Sequence, residues 1–103
     1  MTNLKVNIAG VSFKDPVITA SGCFGFGREY ECMYPLEKLG GISLKGMTFQ
    51  EKLGNPPPRI AETPSGMLNS VGLQNPGVEQ FLEHDKPYLA KQDTVKIANI
   101  AGS

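Results

Sequence analysis

The chain has 103 residues, a length that provides one modest hydrophobic core and excludes a multidomain architecture. Ten Lys and Arg side chains balance ten Asp and Glu side chains, giving a formal net charge of +0, so the basic surface typical of a nucleic-acid-binding protein is missing. The 12 glycines and 8 prolines exceed the usual combined share of about 12% and indicate long, shaped loops, where binding sites are commonly built.

The first two predicted elements are a β-hairpin and a buried strand. Residues 5–16 alternate apolar and polar side chains on either side of Ala9-Gly10, a pattern typical of two short antiparallel strands joined by a tight turn. A β-branched run then follows Pro16 over residues 17–21. Such a run predicts a strand buried inside a parallel sheet.

A helix and a second buried strand are expected next. Tyr30, Met33 and Tyr34 have helical spacing, and Gly40 provides a C-terminal stop signal. The apolar run over residues 41–46 then predicts the second buried strand.

Residues 50–77 show no clear periodicity. The segment holds nine of the glycines and prolines, and a structureless stretch of this length inside a small domain is either functional or disordered. Its apolar content favours an ordered, packed loop. The apolar side chains concerned are Leu53, Ile60, Met67, Leu68, Val71 and Leu73.

The last part of the chain predicts two short helices and a third buried strand. The first helix is marked by apolar side chains over residues 78–82. Asp85-Lys86-Pro87 indicates a break and a restart, with Pro87 in a first-turn position. Residues 95–103 are expected to form the third strand, which runs to the end of the chain.

The alternation of strands and helices indicates parallel strands with right-handed crossovers. Three parallel strands form neither a closed barrel nor a doubly wound sheet, and a complete (β/α)8 barrel needs about 250 residues. The expected fold class is therefore α/β, as the N-terminal part of a (β/α)8 TIM barrel with an opening β-hairpin and about three of eight βα units. Residues 1–103 are then a single partial domain.

A polar residue closes each of the three predicted strands, namely Ser21, Lys45 and Asn99. In a parallel sheet these carboxyl ends open onto the face that carries active sites. Polar residues also simply mark where strands stop, and Ser21 fits either interpretation. Lys45 directly follows an apolar strand, so its charge needs an anionic partner. That partner is either an anionic ligand or a buried Asp or Glu.

Two loops are candidates for ligand contacts. The glycine-rich segment, residues 22–27, lacks the spacing of a phosphate-binding loop, and its glycines favour the close approach of a planar ligand or of another loop. Further along, Asn69 and Asn75 bracket an apolar, glycine-containing turn. Asparagine side chains and backbone amides recognise flat rings that bear amide and carboxylate groups. The alternative is an asparagine-rich Ω-loop that caps the fold.

The remaining reactive side chains suggest no site. Cys23 and Cys32 form neither a disulfide framework nor a metal-spaced cluster, so no metal is expected, and their apolar and glycine neighbours favour inert packing. His84 is expected at the surface. No apolar run approaches the ~18 residues needed to span a bilayer. Without a secretory signal at the N-terminus, a reduced, cytoplasmic location is expected.

Three blocks of the sequence carry a resemblance to a known family. They are ASGCFGFGREY, SLKGMTFQEKLGNPPPRIAETPSGMLNSVGLQNPG and IANIAGS. With these blocks the chain resembles, along its whole length, the N-terminal part of dihydroorotate dehydrogenase catalytic subunits. FGFG followed by Glu29-Tyr30 is similar to the class 1, NAD-linked bacterial form in particular.

The resemblance implies an FMN-containing (β/α)8 barrel that oxidises dihydroorotate to orotate in pyrimidine biosynthesis, with the flavin performing the redox chemistry. The matching FMN-binding positions are Ser21, Lys45, Gly46 and Asn99, and Lys45 also matches a substrate contact. The matching orotate-binding loop comprises Asn69, Ser70, Val71, Gly72 and Leu73.

The resemblance also implies that the catalytic base is a cysteine downstream of Ser103, so no catalytic residue is expected in this chain. It implies a homodimer and a second subunit that carries FAD and an iron–sulfur cluster and passes electrons to NAD. Two alternatives stay open. One is a related pyrimidine-reducing flavoenzyme, and the other is a non-catalytic fragment that binds or self-assembles through open strand edges.

Overall fold

Short strands and one helical segment make up the fold in the computed structural model, which describes residues 2–102. In chain order the strands are β1 (Val6–Ile8), β2 (Val11–Phe13), β3 (Ile18–Thr19), β4 (Gly41–Ser43), β5 (Ile60–Thr63), β6 (Gly66–Asn69) and β7 (Val95–Ile97). The helical elements are two 3₁₀ turns (Arg28–Tyr30 and Leu36–Lys38), α1 (Val78–Gln80), a π-helical turn (Phe81–Asp85) and α2 (Lys86–Ala90).

The predicted N-terminal hairpin is confirmed. Strands β1 and β2 are antiparallel, and Val6 lies opposite Phe13. Ala9 and Gly10 both have positive φ, at 50° and 81°, which is the backbone of the tight turn that matches strand twist. Phe13 is buried, and a Cβ atom at Gly41 would lie 3.0 Å from its ring. The hairpin therefore packs onto β4 where that strand has no side chain.

A parallel sheet of three strands, in the order β3-β4-β7, forms the centre of the fold. Ile18 lies opposite Gly41, and Gly41 lies opposite Val95, so the predicted parallel arrangement is confirmed. The central strand β4 is buried as expected, whereas β3 and β7 are half-buried or exposed. The prediction that all three are buried is wrong because each outer strand has a neighbour on one side only.

The third strand is shorter than the sequence suggests. Strand β7 ends at Ile97, and beyond it one isolated parallel bridge joins Met47 to Ile100. The last residue of the predicted strand, Ser103, lies outside the described residues.

The prediction of a helix between β3 and β4 is wrong. The segment contains two separate 3₁₀ turns with Pro35 between them. Proline has no backbone N–H and disfavours helical backbone in the residue before it, so it interrupts the helix. As a result Met33 is 71% exposed, whereas Leu36 is only 1% exposed. The first crossover therefore lacks the helix expected of a complete βα unit.

The helical segment of residues 78–90 is continuous where a break was predicted. Between α1 and α2 the backbone widens into the π-helical turn, and Pro87 falls in the first turn of α2. Because Pro87 cannot donate a backbone hydrogen bond, a local change to the wider π pattern keeps the segment helical. No helix within residues 2–102 is long and apolar enough to cross a membrane.

Residues 50–77 contain a hairpin that the sequence did not reveal. Strands β5 and β6 are antiparallel, from Ile60 opposite Asn69 to Thr63 opposite Gly66. Every residue of both strands is exposed. The segment contains a regular hairpin, but the prediction of a packed loop is wrong for its largest apolar side chains. Those exposed side chains are Leu53, Ile60, Met67 and Leu68.

The hydrophobic core lies between β4 and the helical elements. Its buried members are Leu36, Leu39, Ile42, Leu44 and Leu89, with Phe24, Phe26, Phe81 and Tyr88 packed against them. This core therefore joins the glycine-rich segment, the sheet and the helical segment of residues 78–90. It supports the face on which the strands end.

Candidate ligand site at the strand ends

The ends of all three parallel strands are joined by hydrogen bonds. The hydroxyl of Ser21 donates to the carbonyl of Leu44 at 2.8 Å. The side-chain Nδ2 of Asn99 donates to Oγ of Ser21, also at 2.8 Å. The residues that follow β3, β4 and β7 are thus held together, as expected for the carboxyl ends of parallel strands. Ser21 and Asn99 are both exposed, so they face a space that a ligand can reach.

Gly46 brings the long loop into this cluster. A Cβ atom at Gly46 would lie 2.9 Å from Cδ1 of Leu73 and 3.3 Å from Nδ2 of Asn99. The backbone N–H of Met47 donates to the carbonyl of Asn99 at 2.9 Å. The absence of a side chain at Gly46 therefore lets Leu73 pack against the strand ends. We refer to Ser21, Lys45, Gly46, Leu73 and Asn99 as the strand-end cluster.

Lys45 is the cation of the strand-end cluster. Its side chain is half-buried, and its ammonium lies 3.9 Å from the position a Cβ atom would take at Gly22. Among the ion pairs formed within residues 2–102, none involves Lys45. The alternative of a buried Asp or Glu partner is thus not observed. Because a half-buried charge requires compensation, the geometry favours an anionic ligand.

A cavity of about 380 Å³ lies beside Lys45. Acidic and basic side chains line this cavity, among them Glu29, Glu51 and Lys52. Asn75 also lines it. In the part of the chain that the structure describes, no group of three or more His, Cys, Asp or Glu side chains is placed to hold a metal ion.

The predicted substrate loop, residues 69–73, divides into two parts. Asn69 ends β6 in the exposed hairpin, and Ser70 receives a hydrogen bond on its hydroxyl from Nδ2 of Asn55 at 2.9 Å. Neither residue forms a hydrogen bond or ion pair with the strand-end cluster within the described range 2–102. At the other end, Gly72 and Leu73 both have positive φ, at 79° and 55°. That turn directs the chain so that Leu73 reaches Gly46.

Val71 and Gly72 connect the two parts. The backbone N–H of Asn55 donates to the carbonyl of Val71 at 3.0 Å. A Cβ atom at Gly72 would lie only 2.7 Å from the backbone nitrogen of Asn55. A glycine is therefore required where the loop passes this residue.

Asn75 fixes the loop instead of facing a ligand. It is 4% exposed, and its Oδ1 accepts the backbone N–H groups of Thr48 at 3.1 Å and Gly77 at 3.0 Å. Its Nδ2 donates to the carbonyl of Leu73 at 2.8 Å. The ring-recognition role considered for Asn75 is therefore excluded by its existing partners, and the loop-capping alternative describes this residue better.

We expect Asn75→Ala to destabilise the chain by about 3 kcal/mol, because two buried N–H groups lose their acceptor. Chemical denaturation followed by circular dichroism measures this loss. Asn69→Ala is the matched control, since Asn69 is exposed and its truncation is expected to change stability by less than about 0.5 kcal/mol. Equal effects of the two substitutions would contradict the role assigned to Asn75.

Arg28, the residue directly after the glycine-rich segment, contacts the helical segment of residues 78–90. The sequence did not indicate these contacts. The guanidinium of Arg28 lies 3.8 Å from the Asp85 carboxylate and 4.3 Å from the centre of the Tyr88 ring. Burial raises the pKa of the Asp85 carboxyl above its ordinary value, although the Arg28 charge opposes this shift. Burial, with Glu31 nearby, raises the pKa of Tyr88 to about 12.

Cys23 and Cys32 are free and exposed. The expectation that they are packed is wrong, because Phe24, Phe26 and Leu36 occupy the core-facing positions in this part of the chain, and the inertness of the two cysteines stays a prediction. His84 is exposed as expected, with Nε2 3.9 Å from a carboxylate oxygen of Glu83.

Comparison with known proteins finds relatives that match this chain along almost its whole length. The sequence profile of a family described as "Dihydroorotate dehydrogenase" matches residues 3–103. The chain is 58% identical over 101 residues to "Dihydroorotate dehydrogenase B (NAD(+)), catalytic subunit" of Oceanobacillus iheyensis, covering 98% of this chain and 33% of that protein. A protein of the same name from Petrotoga mobilis is 56% identical over 103 residues, which are 100% of this chain and 34% of the relative.

The solved structures include a similar fold. The crystal structure of DHODH in complex with ferulenol from Eimeria tenella superposes with a TM-score of 0.69 at 25% sequence identity. The superposition covers 98% of this chain and 29% of that chain. The chain thus spans about a third of the length of the curated relatives that it matches.

Proposed function

The chain belongs to the dihydroorotate dehydrogenase family, and on that premise we propose that it supplies part of a flavin-dependent enzyme that oxidises dihydroorotate to orotate. The observation that carries the proposal is Lys45, a half-buried cation without an ion pair among the described residues, at the point where three strand ends meet. Orotate and dihydroorotate carry a carboxylate, which provides the missing anion.

In this proposal the three parallel strands are the first strands of a (β/α)8 barrel, and residues 1–103 are one part of that domain. The active sites of such barrels lie at the carboxyl ends of the strands. The strand-end cluster occupies that position in this chain. The TM-score of 0.69 to a solved DHODH supports this placement.

The chemistry of the cluster fits FMN. The edge of a flavin ring presents alternating N–H and C=O groups, and Ser21 and Asn99 offer a hydroxyl and an amide that are fixed by their mutual hydrogen bond. The space beside Gly46 is filled by Leu73 and Asn99, so Gly46 is proposed to contact the flavin through its backbone. Lys45 would provide a positive charge that favours the reduced flavin. We propose these four residues as the FMN contacts of this chain.

The residues of the chain have distinct roles in the proposed mechanism. FMN held by Ser21, Lys45, Gly46 and Asn99 would supply the hydride-accepting chemistry. The Lys45 ammonium attracts the substrate carboxylate and holds the ring in one orientation. Leu73 covers Gly46 and excludes water from that side. Asn69 and Ser70 are proposed to contact substrate from the loop, together with the backbone of Val71 and Gly72.

The proton-accepting base is not assigned to any residue of this chain. We propose that it is a cysteine outside residues 1–103, and neither Cys23 nor Cys32 is assigned that role. We further propose a cytoplasmic homodimer that works with an electron-transfer subunit carrying FAD and an iron–sulfur cluster. The names of the relatives, which specify a catalytic subunit and NAD(+), support a separate partner subunit.

The proposal is tested in a chimera in which this chain replaces the matching segment of the Oceanobacillus iheyensis relative. We expect the purified chimera to be yellow and dihydroorotate to bleach its flavin absorbance under anaerobic conditions. A folded chimera that retains no flavin, or whose flavin is not bleached by dihydroorotate, would refute the proposed function. Bleaching by dihydrouracil instead would identify a related pyrimidine-specific flavoenzyme.

A second candidate function is a self-assembling, non-catalytic module. It is favoured by the outer strands β3 and β7, each of which is paired on one side only within the sheet. The two candidates are distinguished by the intact mass and the visible spectrum of the protein purified from its natural source. An 11.1 kDa chain without flavin that forms oligomers supports the module, whereas a longer, yellow polypeptide supports the enzyme.

A further inference from the structure

Arg28 makes three different contacts with one short stretch of the helical segment. Its guanidinium donates to the carbonyl of His84 at 3.1 Å, lies 3.8 Å from the Asp85 carboxylate and stacks 4.3 Å from the centre of the Tyr88 ring. The Asp85 side chain is only 18% exposed. Nη2 of Arg28 makes both polar contacts, and a planar guanidinium suits the added stacking on Tyr88 better than a lysine ammonium does.

The partners of Arg28 lie in and just after the π-helical turn. His84 and Asp85 belong to that turn, and Tyr88 lies in α2. The aromatic ring of Phe26 in the glycine-rich segment also packs on Phe81 in the turn, with ring centres 5.1 Å apart. The π-helical turn is therefore the surface to which the glycine-rich segment is attached.

The same glycine-rich segment holds the backbone of Lys45. The N–H of Lys45 donates to the carbonyl of Gly25 at 3.0 Å, and Glu29, next to Arg28, lies against Gly25 and borders the cavity beside Lys45. The preceding residue, Leu44, is bound differently, since its N–H donates to the carbonyl of Ile97 within the sheet at 2.9 Å. The Arg28 contacts are thus linked to the Lys45 backbone by the glycine-rich segment and not by the sheet.

We propose that Arg28 is a positioning residue for the ligand site, because it fastens the glycine-rich segment to the π-helical turn and thereby fixes the Gly25 carbonyl that orients Lys45. This role rests on the proposed function only in so far as Lys45 binds a ligand. The positioning itself is a property of the folded chain, and hydrogen exchange reports it without any ligand.

The first measurement is amide hydrogen exchange in the chimera, resolved at Leu44 and Lys45. In Arg28→Met the Lys45 amide is expected to exchange about tenfold faster, the amount that loss of one ion pair and one cation–π contact produces. The Leu44 amide is expected to keep its rate. If both amides accelerate equally, Arg28 contributes only general stability, and if neither changes, Arg28 does not hold the loop. Either result overturns the proposal.

Two further variants sharpen the measurement. Arg28→Lys keeps the charge beside Asp85 but loses the planar stack on Tyr88, so an intermediate Lys45 exchange rate is expected. Lys91→Met is the matched control, because Lys91 is exposed and forms no ion pair within the described chain. A control that accelerates Lys45 as much as Arg28→Met contradicts the assignment.

The second measurement is the affinity of the flavin-loaded chimera for orotate, taken from the change in the flavin spectrum. A several-fold weaker binding in Arg28→Met, with the same ranking of variants as the exchange rates, supports the positioning role. Unchanged orotate binding together with faster Lys45 exchange overturns it. If no variant, including the parent, binds flavin or orotate, the proposed function fails, while the exchange comparison still tests Arg28.

Discussion

Lys45→Met in the chimera is expected to lower kcat/KM for dihydroorotate by about a hundredfold, the loss typical of removing one fixed charge or donor from a reacting site. Methionine keeps most of the length of the side chain and removes only its charge. The half-buried ammonium forms no ion pair within residues 2–102, so its removal breaks no internal pair. Steady-state kinetics with dihydroorotate as the varied substrate measures the effect.

Two controls accompany this measurement. Lys96 is also a half-buried lysine of the parallel sheet, but its ammonium donates to the carbonyl of Gln92, so Lys96→Met is expected to leave kcat/KM close to that of the parent. Cys23→Ser is expected to be similarly mild. Full activity of Lys45→Met would refute the assignment of Lys45 to the ligand site.

Leu36→Ala is expected to destabilise the chain by about 3 kcal/mol, because a fully enclosed leucine leaves a cavity. Leu36 belongs to the core cluster, and one of its methyl groups would lie 2.8 Å from a Cβ atom at Gly27. It therefore supports the glycine-rich segment from below. The midpoint of urea denaturation provides the measurement.

Met33→Ala is the matched control for Leu36→Ala. The two residues lie in the same crossover, but Met33 is exposed, and its truncation is expected to change stability by less than about 0.5 kcal/mol. The helical spacing in the sequence would assign burial to Met33, so this pair also tests which description of the crossover is correct. A larger loss for Met33→Ala would favour the helix.

The sequence was informative where a local rule acts on a few neighbouring residues. Ala9-Gly10 fits a two-residue turn between antiparallel strands, and the alternation of apolar and polar side chains on either side of it predicts a hairpin. The apolar run that forms β4 likewise predicts a buried strand. Because parallel strands share one carboxyl edge, the alternation of strands and helices predicts Ser21, Lys45 and Asn99 at that edge, and the structure places them there.

The sequence was less informative where a distant contact or a competing local rule decides. Pro35 outweighs the helical spacing of the residues before it. Every residue of β5 and β6 is exposed. Because neither strand has a buried face, its sequence lacks the alternation of apolar and polar residues that predicts a strand. The Arg28 contacts depend on His84, 56 residues away, and no spacing rule connects such distant positions. The Asn75 side chain illustrates the same limit, because its partners follow from the folded loop.

The separation between Ser21 and Asn99 has a consequence for the order of folding. Each hairpin closes around a two-residue turn, an event that needs little loop entropy and takes about 1–10 μs. The hydrogen bond between Asn99 and Ser21 joins residues 78 positions apart, so it forms only after the intervening chain has been ordered. During synthesis Asn99 also leaves the ribosome after both hairpins. A ligand of the strand-end cluster can therefore stabilise the closure of these three strand ends, whereas the two hairpins form without its help.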